Sequence, residues 1–588
     1  MRKLFATLVL LAPFVCGAAD TAAHQAHALF ERDWEWRLRH QPELATTLGD
    51  HRFDALLSDT SLAARQEKID HDRRMLEAAL LIDRAQLEGQ DRISWDLFVA
   101  ARERDLALAA LLPVDPHPLT AHDGIHVRLP QLVAQMPFAT EADYRRYIAR
   151  LEALPRHVDG LVEQMREGVA LGWVAPKAAV QALPAALQAL RERLPEGPLA
   201  APFNRIPSTI EPEVRAGLAA AGAAALATSA APALLRLEDF VRLEYLPAAR
   251  ETVGAASLPA GQEYYALLAR QATGTAMTPA DIHALGLKEV ARIRGEMLAV
   301  IARTGFRGDF EQFLEFARSD PRLFFSDADA LLTRYRRAIA RARARLPELF
   351  ATVPDTPVGV KPMAADGAAS QIAAYYEAGS ARRMAALVVN TARLDTRPIW
   401  QVDSIALHEA LPGHHLQVAR AQALADLPAF RRYGWDVAFG EGWATYAEGL
   451  GAELGFFRDP FSLFGHLNEE MLRAARLVVD TGIHALGWPR QQAIDYLNAN
   501  TANPPSDNEV EVDRYIARPA QALGYQVGAL RIRALRDRAQ AALGERFELR
   551  QFHDAVLGNG AVSLPILERQ LEAWTASQAG SIEAPAAT

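Results

Sequence analysis

The sequence predicts a mainly α-helical fold with one small β-sheet, and three observations carry that expectation. Apolar residues recur at three- and four-residue spacing in Arg65–Leu87, Glu141–Leu154, Val158–Leu171, Leu237–Tyr245 and Pro279–Arg303. Helix starts are signposted, as in Thr278-Pro279-Ala280-Asp281, where proline falls in the first turn behind a capping threonine. Strand signals are confined to Thr356–Met363 and Ala385–Thr391, the latter containing ALVVNT. With 50% apolar residues the chain has ample material for a packed core, which excludes a disordered polymer.

From the N-terminus, residues 1–19 read as a secretory signal. Arg2 and Lys3 precede an apolar stretch, Leu4–Val15, that is too short to span a bilayer, and small residues allow cleavage after Ala18 or Ala19. The expected location is therefore outside the cytoplasm, periplasmic or secreted. The single cysteine, Cys16, lies inside this segment, but Pro13-Phe14-Val15 is a poor context for lipoprotein processing. A mature chain without cysteine forms no disulfide, and any metal must take nitrogen and oxygen ligands. Residues 20–576 are expected to form one helical domain. Its two lobes would meet loosely near 200–235, where PEGPLAAPFNRIPSTIEP interrupts the helical pattern. The Ala-rich run Ala216–Leu235 is too weakly apolar to predict a membrane span. The basic run Arg334–Leu346 has helical spacing and little aromatic interleaving, so a solvated helix face is expected there and no nucleic acid partner. Net charge is −9, spread along the chain. Residues 577–588 are small and polar and are expected to be a mobile tail.

The chemistry concentrates in LHEALPGHHLQ, Leu407–Gln417, and GEGWATYAEG, Gly440–Gly449. Three histidines and a glutamate fall within eight residues, in a chain of 16 histidines. A catalytic zinc needs three protein ligands and a neighbouring base. The usual His-Glu-x-x-His spacing is broken, because Pro412 stands where the second histidine would be. On a regular helix His414 would be about 240° around from His408, and His415 about 10 Å along the axis. Proline and glycine at 412 and 413 resolve this: a bulge of two residues at Leu411–Gly413 would return His414 to the side of His408. His415 remains the alternative ligand.

These residues resemble the bacterial family catalogued as domain of unknown function 885, with its pattern His-Glu-x-x-Pro-Gly-His followed by Glu-Gly-Trp-Ala. The resemblance continues through RLVVDTGIH (Arg476–His484), RYIARPAQALGY (Arg514–Tyr525) and WEWRLRHQPELATTLGDHR near the N-terminus. Ala520 departs from a family glycine. More distantly the arrangement is similar to thimet-type oligopeptidases and Taq-type carboxypeptidases, which are gluzincin-like zinc peptidases. That likeness implies Glu441, 27 residues after His414, as the third metal ligand, and Glu448 as a residue that orients a ligand. Positions i and i+7 share a helix face, which agrees.

Other residues complete the expected site. Arg476, Asp480 and His484 fall at i, i+4 and i+8 on one helix face; the first two read as a salt-bridged stripe, and the resemblance implies that His484 lines the cleft. Tyr525 lies where the related peptidases place a tyrosine that donates to an oxyanion, with Arg514 eleven residues before it. The strand at 385–391 has two readings: the likeness to the related peptidases implies an edge that pairs with an extended substrate, with Asn390 as a contact, and its apolar run fits equally an ordinary buried strand of a small sheet.

The sequence therefore predicts an exported Zn2+-dependent hydrolase acting on peptides or small amides. Its metal would be held by His408, His414 and Glu441. Glu409 would serve as general base, with Tyr525 or His484 stabilising the oxyanion and Arg514 and Asn390 contacting substrate. A di-iron carboxylate protein is disfavoured because residues 404–450 hold no Glu-x-x-His pair. A hydrolase of non-peptide amides or esters, and a non-catalytic binding protein, remain the alternatives.

Overall fold

The computed structural model describes residues 21–121, 123–364, 372–380 and 383–580. The signal expected at 1–19, with Cys16, lies outside the described residues.

Helices dominate from Thr21 onward. The first three long ones, Ala22–His40, Leu62–Leu80 and Gly89–Leu111, close a small core around Phe30, Ala79 and Phe98. The second is shorter than the periodicity predicts. It stops at Leu80, and Asp83 then caps a short 3-10 turn, Arg84–Gln86, by accepting from the Ala85 N–H, so turn chemistry overrides the apolar pattern. Glu141–Glu152 and Leu154–Leu171 follow, and Pro279–Thr304 opens on a full capping box between Thr278 and Asp281.

Pro212–Ala248 is one long helix containing two π turns, Leu226–Ala230 and Val241–Tyr245. Its length and composition would suit a membrane span, but Leu218, Leu226, Leu234 and Leu237 are buried in the same core as Val158 and Met471. The loose boundary expected near 200–235 thus falls largely on a continuous helix that shares its core with residues on both sides. The basic run lies in Ala328–Leu349, which buries Leu331, Tyr335, Ile339 and Leu346 and leaves Arg336, Arg337 and Arg341 exposed, as the amphipathic pattern predicts.

The sheet has three strands in the order β1-β3-β2: β1 Val358–Pro362, β2 Ala374–Glu377 and β3 Ala385–Val389. β1 runs parallel to β3 and β2 antiparallel to it, with Tyr376 opposite Leu387. This decides between the two readings of residues 385–391 in favour of the buried strand. β3 is the central strand and all five residues are buried, as its uninterrupted apolar run requires. The cleft-side edge is β2, a strand the sequence reading did not find. Of the residues expected in the tail, Ser577–Gly580 belong to the last helix, Leu564–Gly580. There Thr575 and Ser577 hydroxyls donate back to Leu571 and Trp574 carbonyls, which lets small polar residues sit in helix. Residues 581–588 lie outside the described residues.

Two close approaches fix the functional half. Gly442 in the helix Val437–Gly449 meets Gly528 in the helix Gly524–Leu543, where an added Cβ would lie 2.5 Å from the Gly528 Cα. Gly286 likewise lets Pro279–Thr304 lie against Leu477 and Val478 of the long helix Pro460–His484. A larger residue at either glycine would force the helices apart.

Candidate metal centre

The helix Val402–Glu409 ends abruptly and a new one, His414–Ala423, begins five residues later. Between them Ala410 leaves helical dihedrals, Leu411–Pro412 is cis, and Gly413 turns the chain back. Gly413 approaches the first helix so closely that a Cβ there would lie 1.8 Å from the His408 carbonyl oxygen. The break is well bonded: Gly413 N–H donates to Leu407 O (2.9 Å), and the Trp443 indole N–H donates to Pro412 O (3.0 Å). The expected two-residue bulge is therefore a full interruption, but its effect is the expected one. His408 and His414 come together with ring centroids 4.7 Å apart.

Glu441, from the helix Val437–Gly449, faces both. Its Oε2 lies 3.6 Å from His408 Nε2 and 3.3 Å from His414 Nε2. Donors sharing one tetrahedral zinc lie roughly 3.3 Å apart, given bonds of about 2.0–2.1 Å. The three donor atoms are all within 4.8 Å of one another, the one such group among the described residues. Two imidazole nitrogens and a carboxylate oxygen, all buried, fit zinc. His415 is excluded from this group: its Nε2 donates to Thr356 O (2.9 Å) and its Nδ1 faces the Tyr376 hydroxyl (3.2 Å).

Glu448 stands behind the group. Its Oε1 accepts from His408 Nδ1 (2.7 Å), which leaves Nε2 as the nitrogen aimed at Glu441, and its Oε2 accepts from Ser404 Oγ (2.9 Å). Arg473 lies 3.0 Å from the same Oε1. Burial alone would push Glu448 up, but Arg473 and His408 outweigh it and bring the carboxyl down to about 2. Burial would lower His408, yet its bonds to Glu441 and Glu448 prevail and raise it to about 9 in the metal-free chain. Glu441 is held well below the carboxylate range against burial, chiefly by His414.

The group opens on a cavity of about 730 Å³. Glu409 lines it, with Oε2 accepting from the Tyr376 N–H of β2 (2.9 Å). Tyr525 lines it too, its ring stacked at 6.2 Å on His408. The Tyr525 oxygen accepts from Arg514 Nη2 (3.2 Å) and Gln521 Nε2 (3.4 Å). Burial, reinforced by Glu441, raises its pKa, so the hydroxyl keeps its proton. Two acceptor contacts leave that proton to point elsewhere.

Residues 42–571 match the model of a family described as "Bacterial protein of unknown function (DUF885)". The chain belongs to this family. Among solved structures the DUF885 chain is similar to one from Colwellia psychrerythraea described as a candidate lipoprotein, at 26% identity and a TM-score of 0.89, covering 95% of this chain and 100% of that chain. A second, from Shewanella oneidensis and described as a candidate lipoprotein of unknown function, shares the fold at 16% identity and a TM-score of 0.69, covering 94% of this chain and 100% of that one. No curated protein matches.

The DUF885 chain brings His408, Glu409, His414, Glu441, Arg514 and Tyr525 to one cavity. Two expected residues lie elsewhere. Asn390 is fully buried; its amide donates to Ile372 O and its oxygen accepts from Ala392 N–H, so it ties off the end of β3 and does not line the cavity among the described residues. His484 is also fully buried, accepting from Ala255 N–H at Nδ1 (3.0 Å) and donating to Tyr515 O at Nε2 (3.0 Å). Nor do Arg476 and Asp480 pair: Arg476 binds Glu511 and Tyr515, while Asp480 accepts from the Tyr265 hydroxyl and the Ala520 N–H. The sequence reading missed β2, whose signal was the Tyr375-Tyr376 pair, and Arg473, which sits one turn from Glu469 inside an apolar helix.

Proposed function

We propose that the chain is an exported zinc-dependent hydrolase that cleaves peptides. The observation that carries this reading is the convergence of His408, His414 and Glu441 with Glu409 beside them and Glu448 behind. His408 and His414 would hold zinc through Nε2 and Glu441 through its carboxylate. Zinc bound there supplies Lewis acidity at the scissile carbonyl and makes water more acidic. Glu409 keeps Oε2 on the Tyr376 N–H, and Oε1, which has no partner among the described residues, takes the proton from water and returns it to the leaving amine. Arg514 and Gln521 hold the Tyr525 oxygen so that its proton donates to the developing oxyanion. Glu448 keeps His408 in the tautomer that presents Nε2. An intact base next to the ligands favours a hydrolase over a binding protein, since a structural zinc needs none.

Export rests on the charged and apolar segments at residues 2–15 and agrees with the candidate lipoproteins among the similar structures. The mass of the mature N-terminus distinguishes cleavage after Ala18 or Ala19 from lipidation at Cys16. The test of activity is a mixed peptide library read by mass spectrometry, with zinc content measured in parallel. Glu409→Gln should retain about one zinc per chain and lose hydrolysis by roughly 10²–10⁴-fold. Wild-type turnover in Glu409→Gln, or no zinc in the wild-type chain, would end this reading.

A further inference from the structure

Trp435 is a large aromatic residue of the cavity wall that the mechanism above leaves unused. It lines the cavity, yet it is 49% exposed, whereas Trp443, eight residues later, is 0% exposed. Its ring lies 5.4 Å from the His414 ring. The chain builds a seat for it. Gly440 has no Cβ where one would lie 2.4 Å from the indole's six-membered ring, so the indole rests on helix backbone one residue before Glu441. Asp436 caps that helix by accepting from the Phe439 N–H (2.9 Å), which fixes the turn carrying the indole. Val418, one turn after His414, lines the same cavity. The two flanks of the metal group therefore differ. Tyr525 stands beside His408, with Arg514 and Arg476 against it; beside His414 stand the Trp435 indole and Val418.

We propose that Trp435 determines specificity: its exposed face receives an apolar, preferably aromatic, side chain of the substrate residue directly flanking the scissile bond. The proposal rests on the peptide-hydrolase reading. An indole held rigid and half bare beside a ligand costs nothing further to order, and an aromatic side chain stacking on it gains both burial and ring–ring contact. Because Trp435 is half exposed and lies outside the packed core, its truncation removes little folding energy.

The test has two arms on the full chain. Quenched short peptides that differ only at the flanking residues, Phe against Ala, are compared for wild type, Trp435→Phe and Trp435→Ala, with zinc content checked in each. Wild type should prefer Phe by about tenfold or more in kcat/KM. Trp435→Phe should keep most of that ratio and Trp435→Ala should bring it close to one. In the second arm, N-acetyl-phenylalaninamide and N-acetyl-alaninamide are titrated calorimetrically into the same proteins. No preference in wild type, or a preference that survives Trp435→Ala, overturns the proposal while hydrolysis itself stands. If no peptide is cleaved but the phenylalanine amide binds in a Trp435-dependent way, the subsite stands and the peptidase reading falls. If nothing is cleaved and neither amide binds, both fall.

Discussion

Two histidine-bearing stretches, 408–415 and 476–484, look alike in the sequence and serve opposite purposes. His414 should miss its partner on helical geometry, six residues from His408, and reaches it because the helix breaks at 410–413. His484 should share a face with Arg476, and on an unbroken 25-residue helix it does, but eight residues carry it about 12 Å along the axis and out of reach of the cavity. A shared face places two residues on one side of a helix; only axial distance decides whether they serve one site.

The sharpest way to break this comparison is to truncate both histidines. His414→Ala should lose bound zinc and all hydrolysis, since two ligands cannot close the site. His484→Ala should keep zinc, and should cost about 1–3 kcal/mol of stability by leaving the Ala255 N–H and Tyr515 carbonyl unpaired. Full zinc in His414→Ala, or zinc loss in a folded His484→Ala, reverses the assignment of the two stretches.

A smaller effect is expected one layer further out. Glu448→Ala should bind zinc about 10–100-fold more weakly, because His408 loses the acceptor that orients it. Competition with a chromophoric chelator measures this, and an unchanged affinity would show that Ser404 and packing suffice.

The raised pKa of His408 makes a pH prediction of known sign. In the metal-free chain this imidazole is protonated below about 9, so zinc must displace a proton at neutral pH. Apparent zinc affinity should rise about tenfold per pH unit between 6 and 8 and flatten above about 9. The same shift stabilises the metal-free fold fully below the unfolded value near 6.5, and that contribution is lost as pH climbs through 9. A flat affinity between pH 6 and 8 would contradict the coupling to Glu441 and Glu448.

The smallest effect belongs to Ala520, which adopts φ 67° where the family resemblance leads one to expect glycine. Ala520→Gly should relieve about 1 kcal/mol of left-handed strain and lose about 0.8 kcal/mol of buried methyl, leaving stability within roughly 0.5 kcal/mol of wild type by denaturant titration.

The fold class was legible because helical periodicity and capping are local. The core of the site was legible because Pro412-Gly413 announces a chain break and Glu441–Glu448 spans two turns of one face. What escaped depends on tertiary pairing. Four residues of β2 offer only the Tyr375-Tyr376 pair, too short a signal to show a period, and ALVVNT reads equally as edge or centre until its neighbours are known. Asn390 looked available because it follows an apolar strand, but a buried strand end needs its backbone satisfied, and the amide is used there. Trp435 stands outside both motifs, and only its exposure separates it from a core tryptophan.

The backbone contact between Gly442 and Gly528 has a mechanical consequence. It clamps the helix bearing Glu441 to the helix bearing Tyr525, so any tilt of one carries the other. The spacing between Glu441 and Tyr525, the proposed metal ligand and proton donor, is thereby set by a backbone contact. On the proposed function, changes of substrate preference would fall on the opposite walls, in β2, in Trp435 and in the segment around Asp123 and Arg128, which Arg518 joins to Asp123.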